Sequence, residues 1–582
     1  MATLAPDREN SVHWDTTQNV VIEGDNLEVL KILQKHYYGR IKMIYIDPPY
    51  NTGNDFVYED NYIDPIGTYL DVTGQRDGDG KLSTNTESSG RFHSNWLNMM
   101  YPRLKLARNL LTQDGAVFIS IDETEISTLK QICNEIFGED NLIGSMIWAA
   151  GRKNDSKFIS ASHEYVLCYA RNRKTLAGKG ITWKVRKKGL DAIYKAAEKI
   201  AREYGNDYEA ASTALKSWFR SLSDSDESKR HKHYSRVDQR GVYFADNISW
   251  PGGGGPNYEV LHPITGKPVK IPSRGWLFQE DVMAEHIQAG RVAFGRTEDS
   301  VPTFKRYLKN TEFETPYSVF YQDGRAATKR LTKLMGSKVF DFPKDEQILQ
   351  TLLSMTTDEQ DLVLDFFAGS GTTAHAVMAL NAEDGGNRRC ISVQLPERTD
   401  EKSEARKAGY ETISEITRER IRRAGAKILE EEASMLDGRA ETLDVGFRAY
   451  KLVDTNFTKW RADSSLNTDE LSDLFMQMDG SADDTARPEA LLTEVLLKLG
   501  FSLTEQVENM DVADLQMFSV ANGLMLAYLN EHVKPTLEQL RVIVAFEPER
   551  FVILEDAFHG DDELKTNLVQ ECRIHGVDLW TV

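Results

Sequence analysis

The sequence predicts an α/β protein with a mostly parallel β-sheet at its centre. Two observations carry this prediction. Residues 41–46 and 362–364 are short, mostly apolar runs, which is typical of strands buried on both faces of a sheet. Helix-like patterns separate such runs, as in residues 19–33, where a short strand, a turn and an amphipathic helix follow one another. This alternation predicts parallel strands joined by helices.

Length and composition are typical of a globular protein with several domains. The chain has 582 residues, of which 40% are hydrophobic and 27% charged, so roughly three to five domains are expected. It contains no run of 18 apolar residues, and its first ten residues lack a signal-peptide pattern. We therefore expect a cytoplasmic protein without a membrane segment. The four cysteines are far apart, which argues against a disulfide framework and a metal site.

Charge is distributed unevenly along the chain. The formal net charge is −20, yet residues 151–330 carry 32 Lys and Arg against 21 Asp and Glu, a local excess of +11. Because binding to a polyanion depends on local charge, this segment is predicted to contact nucleic acid. A solvated basic surface is the alternative interpretation. The candidate DNA-contacting residues are Arg152, Lys153, Arg186, Lys187, Lys188, Lys229, Arg230 and Lys232.

The most informative motif follows the first apolar run. Asp47, Pro48, Pro49 and Tyr50 come directly after the predicted strand, and ligands of open α/β sheets bind at the carboxyl ends of strands. The two prolines have no backbone N–H donors, so the backbone of this motif offers mainly carbonyl acceptors. A carboxylate, a carbonyl and an aromatic ring suit the exocyclic amine of a base. A plain turn that ends a strand remains the alternative interpretation.

A second motif lies far along the chain. Residues 362–373 predict a buried strand, a glycine turn with Gly369 and Gly371, and the start of a helix. Glycines let the backbone approach a ligand closely. The P-loop pattern is absent from the sequence, so a P-loop ATPase is not supported. The next predicted strand, residues 390–395, contains Gln394 and is followed by Glu397, at a position where an acidic side chain could hold a ribose. Asp25 also ends a strand, and a helix N-cap is its alternative role.

The remaining segments give weaker signals. Residues 64–95 form a long polar stretch beside the first motif, and residues 402–435 predict one long charged helix. The acidic region after 446 predicts strands at 523–529, 541–546 and 551–554. It contains no recognisable catalytic pattern, so we expect a docking or assembly module.

Together, the two motifs resemble those of the DNA amino-methyltransferases, which pair Asp-Pro-Pro-Tyr with a Phe-x-Gly-x-Gly loop. The catalytic motif comes first and the glycine loop last, an order that resembles the β-class enzymes with their circularly permuted sheet. The stretches 44–53, 163–167, 364–373 and 394–397 are further similar to the Mod subunits of type III restriction-modification systems. That similarity extends to residues 446–452.

The resemblance implies a Rossmann-like class I methyltransferase sheet, circularly permuted, with an inserted target-recognition domain and a C-terminal α+β domain. The implied domains are a catalytic half at 1–175, a target-recognition domain at 176–335, a cofactor-binding half at 336–435 and a C-terminal assembly domain at 436–582. It also implies a homodimer that binds double-stranded DNA. Because the sequence has no helicase motif, restriction would require a separate helicase and nuclease subunit.

The resemblance also implies the reaction, a direct methyl transfer from S-adenosylmethionine to N6 of a flipped adenine. Asp47 and the Pro48 carbonyl would hold the amine, Tyr50 would stack on the base, and Pro49 completes the motif. Lys344 is expected in the helix before the glycine loop, and Gln394 replaces an acidic residue of many relatives, which leaves Glu397 as a substitute. The implied cofactor residues are Asp25, Asn51, Thr52, Lys344, Asp365, Phe367, Ala368, Gly369, Gly371, Thr372, Gln394 and Glu397.

Two alternatives remain at this point. An N4-cytosine methyltransferase would use the same mechanism, but its usual motif has Ser where Asp47 stands. The second alternative is a DNA-recognition and assembly subunit whose methylation activity is secondary.

Overall fold

The computed structural model describes residues 2–52, 92–149, 158, 162–433, 441–457 and 487–582. Its strands are β1 Ala2–Pro6, β2 Val20–Glu23, β3 Ile41–Ile46, β4 Leu111–Ile121, β5 Leu142–Ala149, β6 His163–Ala170, β7 Val185–Arg186, β8 Arg236–Asp238, β9 Gly241–Asp246, β10 Val292–Ala293, β11 Thr303–Tyr307, β12 Phe313–Glu314, β13 Val319–Tyr321, β14 Leu362–Asp365, β15 Arg389–Gln394, β16 Arg448–Asp454, β17 Val507–Val512, β18 Leu515–Val520, β19 Met525–Tyr528, β20 Arg550–Ile553 and β21 Asp578–Thr581. Of the predicted polar stretch 64–95, residues 64–91 lie outside the described residues, and residues 92–95 belong to the helix Phe92–Leu110.

The α-helices are Asn26–Tyr37, Phe92–Leu110, Ile126–Phe137, Arg173–Gly178, Leu190–Tyr204, Tyr208–Ser221, Glu280–Gln288, Gly324–Met335, Glu346–Thr356, Thr372–Asp384, Glu404–Lys407, Ile413–Ala433, Pro488–Leu499, Leu537–Val544 and Asp562–His575. Among the described residues, no helix is long and apolar enough to cross a membrane.

A ten-stranded mixed sheet forms the core of the larger compact unit, which comprises Met1–Thr182 and Tyr317–Val582. Its strand order is β1-β16-β2-β15-β14-β3-β4-β6-β5-β13. The strands from β16 to β4 run parallel, while β6 is antiparallel to β4 and β5. The α/β prediction is confirmed, and the sheet is mixed at its ends.

The pairing of β3 with β14 positions the two sequence motifs. Met43 pairs with Val363 and Ile44 with Leu364 in parallel register, and all six residues of β3 are buried. Parallel strands end at the same edge of a sheet. The segments that follow β3 and β14 therefore emerge beside each other, although they are far apart in sequence.

Residues Trp183–Pro316 form a second compact unit. It contains the four-stranded antiparallel sheet β10-β11-β9-β8 and the two-stranded pair β12-β7. One core lies around Phe219 and the helices that contain Leu190 and Leu215, and another surrounds Trp276. The unit lies within the predicted segment 176–335; the functions assigned to the predicted domains stay predictions.

Two predictions of local structure are wrong. Residues 541–546, expected as a strand, belong mostly to the helix Leu537–Val544, whose first turn has a capping box between Thr536 and Gln539. The predicted long helix at 402–435 is interrupted between Glu404–Lys407 and Ile413–Ala433. Gly409 has a φ of +93° in that interruption, a conformation that a helix cannot contain.

Candidate functional site

Asp47 lies at the carboxyl end of β3 and is partly buried. The Lys344 ammonium nitrogen Nζ is 3.2 Å from Asp47 Oδ1, and 28% of the Asp47 side chain is exposed. Oδ1 itself is buried and has the Lys344 ammonium as a close polar contact, but a carboxylate oxygen has two lone pairs and can accept a second donor. Burial raises the pKa of Asp47, and the Lys344 charge offsets part of that rise. The site thus holds a carboxylate oxygen with unused capacity to accept a donor.

The rest of this motif is fixed by hydrogen bonds. The buried Trp96 indole donates to the Pro49 carbonyl at 2.7 Å, so the second proline is held in place. The Tyr50 hydroxyl donates to Glu164 Oε2 at 3.0 Å. Burial and the Asp47 charge raise the pKa of Tyr50 well above its ordinary value, so Tyr50 is a neutral phenol. Trp96 and Glu164 were not predicted from the sequence as site residues.

Asn51 follows the motif in a left-handed backbone conformation, with a φ of +60°. Its buried amide donates to Glu125 Oε1 at 2.6 Å, and His93 Nδ1 lies 2.6 Å from the same oxygen. Thr128 also donates to the Glu125 carboxylate. Glu125 therefore secures the turn, although no local sequence signal identified it or His93. Thr52 is exposed, and the predicted cofactor roles of Asn51 and Thr52 stay predictions.

The glycine loop after β14 is tied to the helix Ile413–Ala433. Thr417 Oγ1 donates to the Gly369 carbonyl at 2.5 Å. Arg420 donates to Ser370 Oγ at 2.7 Å and to Thr372 Oγ1 at 2.8 Å. Because Arg420 is buried, its pKa is lowered to about 10, and it remains charged at neutral pH. Thr417 and Arg420 are two further residues that the sequence did not indicate.

Both predicted loop glycines have left-handed backbone conformations, with φ values of +53° at Gly369 and +82° at Gly371. A Cβ atom at Gly371 would lie 3.1 Å from the Thr417 carbonyl oxygen. The neighbouring Phe367 and Ala368 are buried. A side chain at Gly371 is therefore disfavoured both by φ and by space.

Asp365 ends β14 and starts this loop. Its Oδ1 accepts from the Phe367 backbone N–H at 3.0 Å, and its Oδ2 accepts from Thr373 Oγ1 at 2.5 Å. Burial raises the pKa of Asp365 to about 7. A large fraction of this carboxyl group is therefore protonated near neutral pH.

Gln394 and Glu397 differ in how far their side chains are engaged. Gln394 Oε1 accepts from the Gly369 N–H at 2.7 Å, and its Nε2 donates to the Leu395 carbonyl at 3.1 Å. The Glu397 side chain forms no hydrogen bond or ion pair with the described residues, and burial raises its pKa. Gln394 thus supports the glycine loop, while the Glu397 carboxylate has acceptor capacity left for a ligand.

Asp25 has the N-cap role that was its alternative interpretation. Its Oδ1 accepts from the Leu27 and Glu28 N–H groups at 2.9 and 3.1 Å, and its Oδ2 pairs with the fully buried Arg103 at 3.2 Å. Arg103 also donates to Asn26 Oδ1, whose amide donates to the Phe366 carbonyl at 2.7 Å. This chain of contacts joins the ends of β2 and β14. A direct cofactor contact by Asp25 stays a prediction.

Lys344 precedes the helix it was expected to belong to. The helix Glu346–Thr356 begins after its N-cap residue Asp345. The Lys344 side chain extends to Asp47, Tyr50 and Glu164. Its predicted contact with the cofactor stays a prediction.

The candidate DNA-contacting residues differ in their partners. Arg152 and Lys153 lie outside the described residues. Four others are engaged within their unit: Arg186 with Asp191 and Glu312, Lys187 with the Thr311 carbonyl, Lys229 with Asp224, and Arg230 with Glu227. The side chains of Lys188 and Lys232 form no hydrogen bond or ion pair with any residue the structure describes. These two cations are thus the most available for phosphates.

Metal ligands are not clustered in the described part of the chain, where no group of three His, Cys, Asp or Glu could hold an ion. The four cysteines are buried as free thiols.

Comparison with known families agrees with this geometry. The sequence pattern of the N6/N4 DNA methylase family matches residues 41–420, from β3 through the glycine loop to the helix that supports it. The chain belongs to this family and is a DNA methyltransferase.

Two relatives define its position more closely. The Mod subunit of the type III restriction-modification enzyme EcoP15I from Escherichia coli is 33% identical over 579 residues, covering 97% of this chain and 85% of that protein. The EcoPI Mod subunit from Escherichia phage P1 is 30% identical, with the same coverage of 97% and 85%. Within its family the chain thus belongs to the type III Mod subunits. The solved PvuII DNA methyltransferase (cytosine-N4-specific) is 13% identical, with a TM-score of 0.30, covering 70% of this chain and 94% of that one.

Proposed function

We propose that the protein transfers a methyl group from S-adenosylmethionine to N6 of an adenine extruded from duplex DNA. It would act as the modification and recognition subunit of a type III system, as a homodimer beside a separate restriction subunit. The observation that carries the proposal is Asp47 Oδ1, a buried oxygen with spare acceptor capacity at the sheet edge that also presents the glycine loop.

The site residues act on the target amine. Its lone pair is delocalised into the adenine ring, which makes it a poor nucleophile. When Asp47 and the Pro48 carbonyl accept its two N–H groups, the nitrogen becomes more pyramidal and its lone pair becomes available. Tyr50 offers a flat surface for stacking, and the base must leave the duplex to reach it. The amine would bond to the methyl carbon as the methyl–sulfur bond breaks, S-adenosylhomocysteine would leave, and one N6 proton would leave through the Asp47 carboxylate that holds it. Transfer then depends on positioning and requires no covalent enzyme intermediate.

The glycine loop and the following strand fit the proposed cofactor. When bound, S-adenosylmethionine supplies an electrophilic methyl group on a sulfonium centre. The half-buried Gly369 lies at the end of β14, the buried Gly371 lets the loop pack against the helix Ile413–Ala433, and Glu397 offers a carboxylate without a partner among the described residues. Such a carboxylate can accept from a ribose hydroxyl. Gln394 would contribute indirectly, by holding the Gly369 N–H.

We also propose that the sheet is a circularly permuted class I methyltransferase sheet. The catalytic strand β3 precedes the glycine-loop strand β14 in sequence but pairs directly with it. The long segment between them contains the compact unit Trp183–Pro316, which we assign to target recognition because it carries most of the basic segment.

The identity of the methylated base tests the proposal. Purified protein is incubated with duplex DNA of mixed sequence and S-adenosylmethionine, and the digested nucleosides are identified by mass spectrometry. We expect N6-methyladenine, and we expect Asp47→Ala to abolish its formation while binding of the cofactor, measured by calorimetry, changes less than about twofold.

The alternatives give different products. N4-methylcytosine would establish the cytosine enzyme, and undiminished transfer by Asp47→Ala would exclude this site. DNA binding without any transfer would leave an assembly subunit as the function. Asp140→Ala, which removes an exposed carboxylate elsewhere, is the control and should match the wild type.

A further inference from the structure

A lysine and a glutamate without a role in the chemistry above meet at Asp47. Lys344 Nζ donates to Glu164 Oε2 at 2.6 Å and also to the Tyr50 hydroxyl, and it lies 3.2 Å from Asp47 Oδ1. We propose that Lys344 and Glu164 are a positioning pair: Glu164 holds the Lys344 ammonium, which in turn orients the Asp47 carboxylate and the Tyr50 ring for the target base. The inference rests on the proposed function.

The ammonium is enclosed by groups from separate parts of the chain. Glu164 belongs to β6, and Lys344 lies just before the helix Glu346–Thr356. Lys344 Nζ is 4.8 Å from the centroid of the Tyr50 ring and 5.5 Å from that of Trp148. Only 10% of the Lys344 side chain is exposed. The Trp148 ring, the Tyr50 hydroxyl and two carboxylates thus hold one charge at one place.

The contacts of Lys344 leave little capacity for another ligand. An ammonium group has three N–H donors, and three oxygens already surround it, those of Glu164, Tyr50 and Asp47. Lys344 therefore acts through Asp47 and Tyr50. Burying such a charge is costly, and replacement of a whole buried ion pair by apolar residues is often neutral for stability, although removal of one partner alone is destabilising. A purely structural role is accordingly a weak explanation for the pair.

The two members of the pair have opposite electrostatic effects on Asp47. Burial raises the Asp47 pKa, the Lys344 charge lowers it and the Glu164 charge raises it. Asp47 also interacts with Tyr50, Tyr45 and Asp365, the other titratable groups that face it. Loss of Lys344 should therefore raise the Asp47 pKa, and loss of the Glu164 charge should lower it.

Glu164 has a second consequence for binding of the base. It shares the ammonium with Asp47, so that Asp47 keeps acceptor capacity for the target amine. Without the Glu164 charge, the ammonium would have Asp47 as its nearest carboxylate partner and would compete with that amine. Glu164→Gln should therefore weaken capture of the extruded base.

The test is the pH dependence of single-turnover methyl transfer to duplex DNA between pH 5 and 9. Lys344→Met should slow transfer at pH 7 at least about tenfold and move the acidic limb up by at least about half a pH unit. Glu164→Gln should move that limb down and raise the concentration of adenine-containing duplex DNA at which single-turnover transfer is half-maximal. Lys344→Arg keeps the charge, so the acidic limb of its pH profile should lie within about 0.3 pH units of the wild-type limb.

A matched control is Lys338→Met, which removes an exposed lysine that pairs with Asp341 at 2.6 Å in the same segment; its profile should not change. The inference is overturned if Lys344→Met leaves the acidic limb of the pH profile at its wild-type position. This holds even if the variant also raises KM for S-adenosylmethionine or lowers thermal stability. Wild-type protein that transfers no methyl group to DNA would overturn the proposed function and the pair with it. Active wild-type protein and an unshifted Lys344→Met profile would overturn the pair alone.

Discussion

At the scale of single residues, the site is built from carboxyl groups in unlike surroundings. The Asp47 carboxylate contacts a lysine and keeps capacity for a further donor, whereas Asp365 is enclosed by a backbone N–H and a threonine hydroxyl. Burial without a cationic partner moves the Asp365 pKa to about 7. One site thus contains a carboxylate suited to accept donors and a carboxyl group that is partly neutral.

Asp365 gives a prediction about stability and pH. Its pKa is raised above the unfolded value, so its protonated form favours the folded state at low pH. That contribution is lost as the pH rises from about 4 through about 7. Asp365→Asn mimics the neutral form and should gain stability relative to the wild type over this range. Thermal unfolding at pH 4 and pH 8 should show the difference in melting temperature move by about 2 °C or more in favour of the variant. A constant difference would contradict the assignment.

Prediction from sequence worked where a residue's role depends on its own segment. Asp47 and the glycine turn were found because each directly follows an apolar strand. Glu125 and Arg420 were not found, because each acts on a loop that is distant in sequence and neither lies in a distinctive local pattern. Glu164 lies within a stretch that resembles the Mod subunits, yet its contact with Lys344 depends on how β6 packs beside β4 and β3.

At the scale of secondary-structure elements, one short apolar run was assigned to the wrong type of element. Residues 541–546 contain enough valine, isoleucine and phenylalanine to suggest a strand, but a run of this length does not distinguish a strand from a buried helix. In the structure, Leu540, Ile543 and Val544 are the buried residues of the helix Leu537–Val544. Their spacing of three and four residues is that of one helix face.

The contact between the glycine loop and the helix Ile413–Ala433 gives a prediction at this scale. Gly371→Ala would place Cβ 3.1 Å from the Thr417 carbonyl oxygen at a φ of +82°. We expect a loss of about 1 kcal/mol or more of stability and at least about tenfold weaker binding of S-adenosylmethionine, measured by thermal unfolding and calorimetry. Gly369→Ala meets its nearest atom at 3.5 Å and should lose binding with less destabilisation.

The control for these variants is Gly409→Ala. Gly409 also has a positive φ, but no atom lies within 4 Å of its Cβ position. Gly409→Ala should lower thermal stability through backbone strain and leave the affinity for S-adenosylmethionine unchanged. Equal cofactor affinity in all three variants would exclude the glycine loop as the cofactor site.

At the scale of the whole molecule, an acidic chain is predicted to bind a polyanion through one basic segment. The sequence predicted this from a local charge of +11 against a total of −20. It could not show which cations are available, because ion pairs depend on the fold. In the unit Trp183–Pro316, Arg230 pairs with Glu227 at 3.0 Å, whereas Lys188 and Lys232 have no such partner among the described residues.

This difference predicts unequal contributions to DNA binding. Each phosphate contact makes the slope of log K for DNA binding against log salt concentration more negative by about 0.9. Lys188→Ala and Lys232→Ala should therefore each weaken binding of the full-length protein to duplex DNA and reduce the magnitude of that slope by about one. Arg230→Ala, a matched substitution of a cation neutralised by Glu227, should change the slope by less than about half as much. Fluorescence anisotropy at several salt concentrations measures all three, and equal slopes for the wild type and both lysine variants would exclude these lysines as phosphate contacts.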